Sequence, residues 1–178
     1  LGQQRVRLQP VGGRVARYFA YRGWDFADAA VAAGDQVDPA TVGRLTRLGL
    51  DHFLGGEVDR VEFIYTRFLT TARRALETET VVPVALAEPD PAGAPYLCEP
   101  DAARVLAALL PRHVETRVLA ILTSSFAAEH SARMLAMGNA TRNADEVMTE
   151  LTLKANKVRQ AVITKELLEI VGGAEGLA

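Results

Sequence analysis

Apolar positions along the chain change period twice, and each change predicts a different element. Arg5-Val-Arg-Leu-Gln-Pro-Val11 alternates polar and apolar residues, the two-residue repeat of a strand in which Pro10 fits only near an end or at an edge. Gly12-Gly13 turns the chain into a short helix over Arg14–Tyr21, with Val15, Tyr18 and Phe19 on one side. Asp38-Pro39 offers an N-cap and a first-turn proline to a second helix, whose apolar face is Val42, Leu45, Leu48, Leu50 and Phe53. Gly55-Gly56 stops it. From Val58 to Tyr65 alternation returns, with Val61, Phe63 and Tyr65 opposite Ile64, as expected of a sheet covered on both faces. Thr78 to Val84 is again β-rich. The three prolines of Glu88-Pro-Asp-Pro-Ala-Gly-Ala-Pro95 mark the best domain boundary in the chain.

Beyond the boundary the period becomes helical and stays so. Asp101 is a good N-cap for a helix over Ala102–Leu110. From Pro111 to about Val171 there is no further proline, and the only glycine before Gly172 is Gly138. This predicts a second helix opened by Pro111 and closed by Gly172-Gly173, a rod of about 90 Å at about 1.5 Å per residue, which must project from a chain this size. Val114, Val118, Ile121, Leu122, Phe126, Ala132, Leu135, Ala136, Val147, Leu151, Val158, Ala161 and Leu168 recur at steps of three and four and form one narrow stripe. Asn139, Thr141, Asn143 and Ala144 weaken its middle. The far end, Leu167-Leu-Glu-Ile-Val171, is apolar on several sides and calls for enclosure. No second long helix in the chain covers the stripe. A partner helix is therefore expected from self-association or from chain upstream of Leu1, and the abrupt first strand favours the latter.

Composition removes several function classes. The 178 residues suit one domain, or a small domain with an appendage. A net charge of −2 offers no basic field for nucleic acid. No uncharged run approaches the ~20 residues that cross a bilayer. One cysteine, Cys98, leaves no internal disulfide and no nucleophile supported by a histidine. Neither glycine-rich phosphate loop occurs, and His52, His113 and His130 lie far apart without zinc spacing, so no cofactor or metal is expected. Eight basic and eight acidic residues cancel between Pro111 and Ala178. Glu129-His130 with Arg133, and Lys154, Lys157 and Arg159, read as solvated faces.

Four segments carry a family resemblance: Glu129-His-Ser-Ala-Arg-Met-Leu-Ala-Met137, Asn139-Ala-Thr-Arg-Asn-Ala144, Glu150-Leu-Thr-Leu153, and Asn156 through Ala174. They resemble the C-terminal helix of the gamma subunit of rotary ATP synthases. Tyr96-Leu-Cys-Glu-Pro-Asp101, Gly56-Glu-Val-Asp59 and Tyr65-Thr-Arg-Phe68 extend the likeness more loosely upstream. The resemblance implies an α/β fold: a Rossmann-like foot and a long C-terminal helix that is half of an antiparallel coiled coil. Residues 1–95 would be a partial foot, 96–110 a connecting loop and short helix, and 111–178 the shaft. The family's N-terminal basic helix and first strand have no counterpart here.

Residue by residue, the resemblance implies that Arg159, Gln160 and Thr164 touch the beta subunit, that Arg133 faces the alpha/beta hexamer, and that Leu167, Leu168, Ile170 and Val171 form the enclosed tip. Tyr96, Glu99 and Asp101 would lie on the side of the rotor ring and the epsilon subunit. The implied protein is a non-catalytic shaft of a proton-translocating ATP synthase. Its partners would be three alpha and three beta subunits, epsilon and the membrane c-ring, with membrane contact only through that ring. The implied place is the cytoplasmic face of a bacterial plasma membrane, or alternatively the matrix face of the mitochondrial inner membrane. Two rivals remain from the residues alone: a homodimeric coiled-coil interaction protein, which the weak Asn139–Ala144 segment disfavours, and a small Rossmann-like enzyme, which would need the missing phosphate loop.

Overall fold

The computed structural model describes residues 6–32, 34, 36–85 and 98–175. Its elements are α1 (Gly13–Tyr21), α2 (Pro39–Leu54), β1 (Val61–Phe68), β2 (Arg74–Val82) and α3 (Ala102–Glu175). The chain divides into two units, Leu1–Ser131 and Ala132–Ala178.

In the first unit the expected opening strand is reduced to two isolated parallel bridges, Leu8 with Phe26 and Val11 with Val31. Pro10 has no N–H to give to a ladder. Its carbonyl accepts from the Val31 N–H at 3.1 Å, and the Gly12 N–H donates to the Val31 carbonyl at 2.8 Å. Gly12 has φ of 92°, a value that glycine reaches without the Cβ penalty, and this turns the chain directly into α1. At α2 the Asp38 carboxylate accepts from the Thr41 N–H at 3.2 Å with Pro39 in the first turn, as the sequence predicted. Gly56, with φ of 70°, leads the chain out of that helix.

β1 and β2 pair antiparallel, from Phe68 opposite Arg74 to Val61 opposite Val82, with a register shift between Val61 and Glu62. The shift leaves Val81 as an extra residue on β2. Two consecutive valines, Val81 and Val82, are consequently both buried where strict alternation would bury one. The sheet is not covered on both faces as the alternation suggested: Ile64 and Leu76 are 71% and 78% exposed. Its other side meets α2 and α3. The core is Val31, Val42, Leu45, Val81, Val82, Val114, Val118, Ile121 and Leu122.

That core corrects a further expectation. The early part of the apolar stripe on α3 is covered by the chain itself, because Val114, Val118, Ile121 and Leu122 pack into the α/β unit. Pro111, expected to open a separate helix, lies inside α3. It forfeits one helical hydrogen bond at about 3 kcal/mol, and burial of Val114 and Val118 immediately after it, each worth about 1.5–3 kcal/mol, offsets that cost. α3 also continues through Gly172-Gly173 to Glu175. The class is α/β with a long C-terminal helix.

Candidate interaction surface

In the second unit every side chain described from Arg133 to Val171 is exposed. Apolar side chains are exposed throughout: Met134, Met137, Met148, Leu153, Val162 and Ile163 join the residues of the expected stripe. The stripe is therefore not narrow, and at the far end it disappears into a helix apolar on several sides. Gln160, Thr164, Leu167 and Val171 fall on one face at steps of four, three and four, while Arg159, Ile163 and Ile170 form the adjacent one. Leu167, Leu168, Ile170 and Val171 are each more than half exposed. α3 thus carries Arg159, Gln160, Thr164 and the apolar tip on one stretch of helix open to a partner.

Several polar groups of this stretch are satisfied within the helix. Thr141, Thr149 and Thr152 donate to the carbonyls of Met137, Asp145 and Met148 at 3.0, 2.9 and 2.8 Å. Lys165 and Glu169 pair at 3.6 Å one turn apart, a solvated contact of little net worth.

Three residues are assigned by resemblance to the rotor-ring side. Tyr96 lies outside the described residues. Glu99 is exposed. Asp101 caps α3, accepting from the Arg104 N–H at 2.9 Å and pairing with the Arg104 guanidinium at 3.4 Å. Arg133 is exposed at the start of the second unit. In the first unit Phe68, Leu119, Ala120, Thr123, Ser124 and Ala127 line an open apolar groove along α3.

Two polar clusters escaped sequence reasoning. Glu79 of β2 holds Arg117 of α3 and accepts from the Tyr65 hydroxyl at 3.1 Å. Burial, followed by this carboxylate, raises the pKa of the Tyr65 hydroxyl. The His52 imidazole meets Asp28 at 3.0 Å and Glu57 at 2.9 Å, and Glu57 also pairs with Arg7. Asp28, then Glu57, raise the pKa of His52. Neither cluster leaves a signal in the sequence: His52 and Glu57 are 5 positions apart, but the other contacts join residues 14 to 50 positions apart.

Among the described residues the chain offers a long helix whose far part exposes many apolar side chains. The family model described as ATP synthase matches residues 2–177. The chain belongs to the ATP synthase family. Within that family it is similar to ATP synthase gamma chains from Dehalococcoides mccartyi strain BAV1, at 47% identity over 82% of this chain and 51% of the relative, and from Symbiobacterium thermophilum, at 39% over 97% and 60%. The chain thus spans between about half and three fifths of the length of these ATP synthase relatives. By fold it is similar to a chain of the Euglena gracilis mitochondrial ATP synthase, with a TM-score of 0.60 at 19% identity over 96% of this chain and 62% of that one. It is likewise similar to a central stalk and c-ring structure from the Tetrahymena thermophila mitochondrial ATP synthase, with a TM-score of 0.57 at 20% identity over 75% and 60%. No helix among the described residues of this ATP synthase family member is long and apolar enough to cross a membrane.

Proposed function

We propose that the chain is the gamma subunit, the central shaft, of a proton-translocating ATP synthase. The observation that carries this reading is the exposed stretch of α3 from Arg133 to Val171, apolar on several sides yet near neutral. Such a surface is stable in water only beside a partner. In this reading the partner is the ring of three alpha and three beta subunits, with Arg159, Gln160 and Thr164 against beta, Arg133 facing the hexamer and the Leu167–Val171 tip enclosed. The open groove beside Phe68 and Leu119 suits the second helix of an antiparallel coiled coil. The foot, with Glu99, Asp101 and Tyr96, faces epsilon and the c-ring, and the complex lies on the cytoplasmic face of a bacterial plasma membrane.

The shaft performs no bond chemistry. Catalysis belongs to the beta subunits, and the shaft acts by differential contact: at each angle it favours one conformation of the site it faces, so rotation changes nucleotide affinity in turn. Native mass spectrometry of the complex from source membranes tests this. One copy of this subunit beside three pairs of larger subunits supports the shaft. Recovery alone or as a homodimer supports the coiled-coil interaction protein instead.

A further inference from the structure

We propose that Glu79, Arg117 and Tyr65, together with the Ser124 hydroxyl and the Phe68 N–H, form a register clamp that makes the sheet and α3 turn as one body, an inference that rests on the shaft reading. The apolar contact between them is Val114, Val118, Ile121 and Leu122 against Val81 and Val82. Contacts among aliphatic side chains of similar size are non-directional. By themselves they resist separation better than they resist small rotations or slides, because they set no preferred direction.

Directional contacts flank this ridge at two heights. Arg117 reaches Oε1 of Glu79, while the Tyr65 hydroxyl donates to Oε2 at 3.1 Å. Both carboxylate oxygens are engaged, and the Glu79 side chain is only 18% exposed. Seven residues along α3, and so on the same face, Ser124 Oγ accepts from the Phe68 N–H at 3.0 Å. Phe68 is the last residue of β1 and Glu79 lies within β2, and the paired ladder joins them rigidly. A slip of one turn carries α3 about 5.4 Å and breaks both contacts together. Two anchor points fix axial position and rotation at once, where one would fix neither. Slipping also takes the Glu79 carboxylate away from the guanidinium and the hydroxyl that hold it. Specifying register is the best-attested use of a buried polar group in an apolar seam.

The test is the complex purified with this chain carrying Arg117→Gln and Tyr65→Phe, reconstituted in vesicles and assayed for ATP hydrolysis and for ATP-driven proton uptake in parallel. The expected result is hydrolysis near the wild-type rate with a several-fold lower ratio of protons moved to ATP consumed. The charge swap Glu79→Arg with Arg117→Glu should recover most of that ratio, which a merely structural loss would not. An unchanged ratio in the double variant overturns the clamp, as does a swap that stays as uncoupled as Arg117→Gln alone. Failure of the wild-type complex to pump would instead overturn the shaft reading. The clamp is then read on the full chain with spin labels at Thr78→Cys and Thr123→Cys in a Cys98→Ser background. One narrow distance that broadens or splits in the double variant upholds it, and the same distribution in both overturns it.

Discussion

Ile121 is the side chain on which docking of α3 to the α/β unit can be measured. It is 2% exposed and sits among Val81, Val82, Val114, Val118 and Leu122. Ile121→Ala removes buried carbon from a packed site and leaves a cavity, which costs about 2–5 kcal/mol. Against a total stability of about 5–15 kcal/mol this is a large fraction. Val162→Ala is the matched control on the same helix: Val162 is 48% exposed in the second unit, so its truncation should stay within about 0.5 kcal/mol. Urea unfolding followed by fluorescence of Trp24, the chain's single tryptophan, separates the two. Trp24 packs edge-on against Phe19 at 5.8 Å in the first unit and so reports on that unit. With a slope of about 1–3 kcal/mol per molar urea, the Ile121→Ala midpoint should fall by about 1 M or more, and the Val162→Ala midpoint should not move. Equal shifts would mean that α3 does not contribute to the core, and the account of the covered stripe would be wrong.

Thr46 is 7% exposed, and its Oγ1 has no hydrogen-bond partner among the described residues; Thr46→Val removes that orphan hydroxyl at nearly the same shape and should stabilise the chain by about 1 kcal/mol in the same urea assay. The raised pKa of His52 means that the folded chain holds its proton more tightly than the unfolded one. This contribution is therefore fully present below the ordinary value of 6.5 and is lost as pH rises through the raised value. Glu57, lowered by His52 and then Arg7, contributes above its ordinary 4.5 and loses that contribution as pH falls through its lowered value. Stability against pH should accordingly slope downward as pH rises above the ordinary 6.5 of His52, and His52→Gln should flatten that slope. Arg159→Ala, at an exposed helix position, should leave the chain's unfolding within about 0.5 kcal/mol of wild type while altering ATP hydrolysis by the assembled complex; an unchanged rate would remove Arg159 from the beta contact.

The legible parts of the fold were those encoded over a few residues. Asp38-Pro39 predicted the start of α2 because a capping carboxylate and a first-turn proline act within one turn, and the proline-free run predicted the long helix. Tertiary context decided the remainder. Pro111 reads as a helix start by local rule, yet α3 passes through it because the residues beyond are buried. Leu8 and Val11 alternate like a strand, but a strand needs a neighbour, and only two bridges form. Nothing in the periodicity of the stripe on α3 marks that its first four residues, Val114, Val118, Ile121 and Leu122, are buried with Val81, Val82 and Leu45. Periodicity shows which face is apolar and is silent about what covers it. The bulge that buries Val81 beside Val82 depends on pairing with Val61 and leaves no local mark.

The exposed half of α3 faces two requirements that conflict if its partner is a ring of alternating subunits. It must be held firmly enough to exclude water and loosely enough to leave each contact as it turns. Apolar side chains such as Met137, Met148, Leu153 and Ile163 meet the first, since burying them is favourable at any angle. The second is met by removing directional needs. The hydroxyls of Thr141, Thr149 and Thr152 are spent on carbonyls of their own helix, and Lys165 finds Glu169 one turn away. Groups already satisfied leave no orphan donor behind when a neighbouring surface moves on. In the proposed reading, Arg159, Gln160 and Thr164 are positions where an angle-dependent contact acts. The first unit shows the opposite design, with Arg117 and Ser124 reaching off the helix to fixed partners, which is what a helix needs where it must not slip.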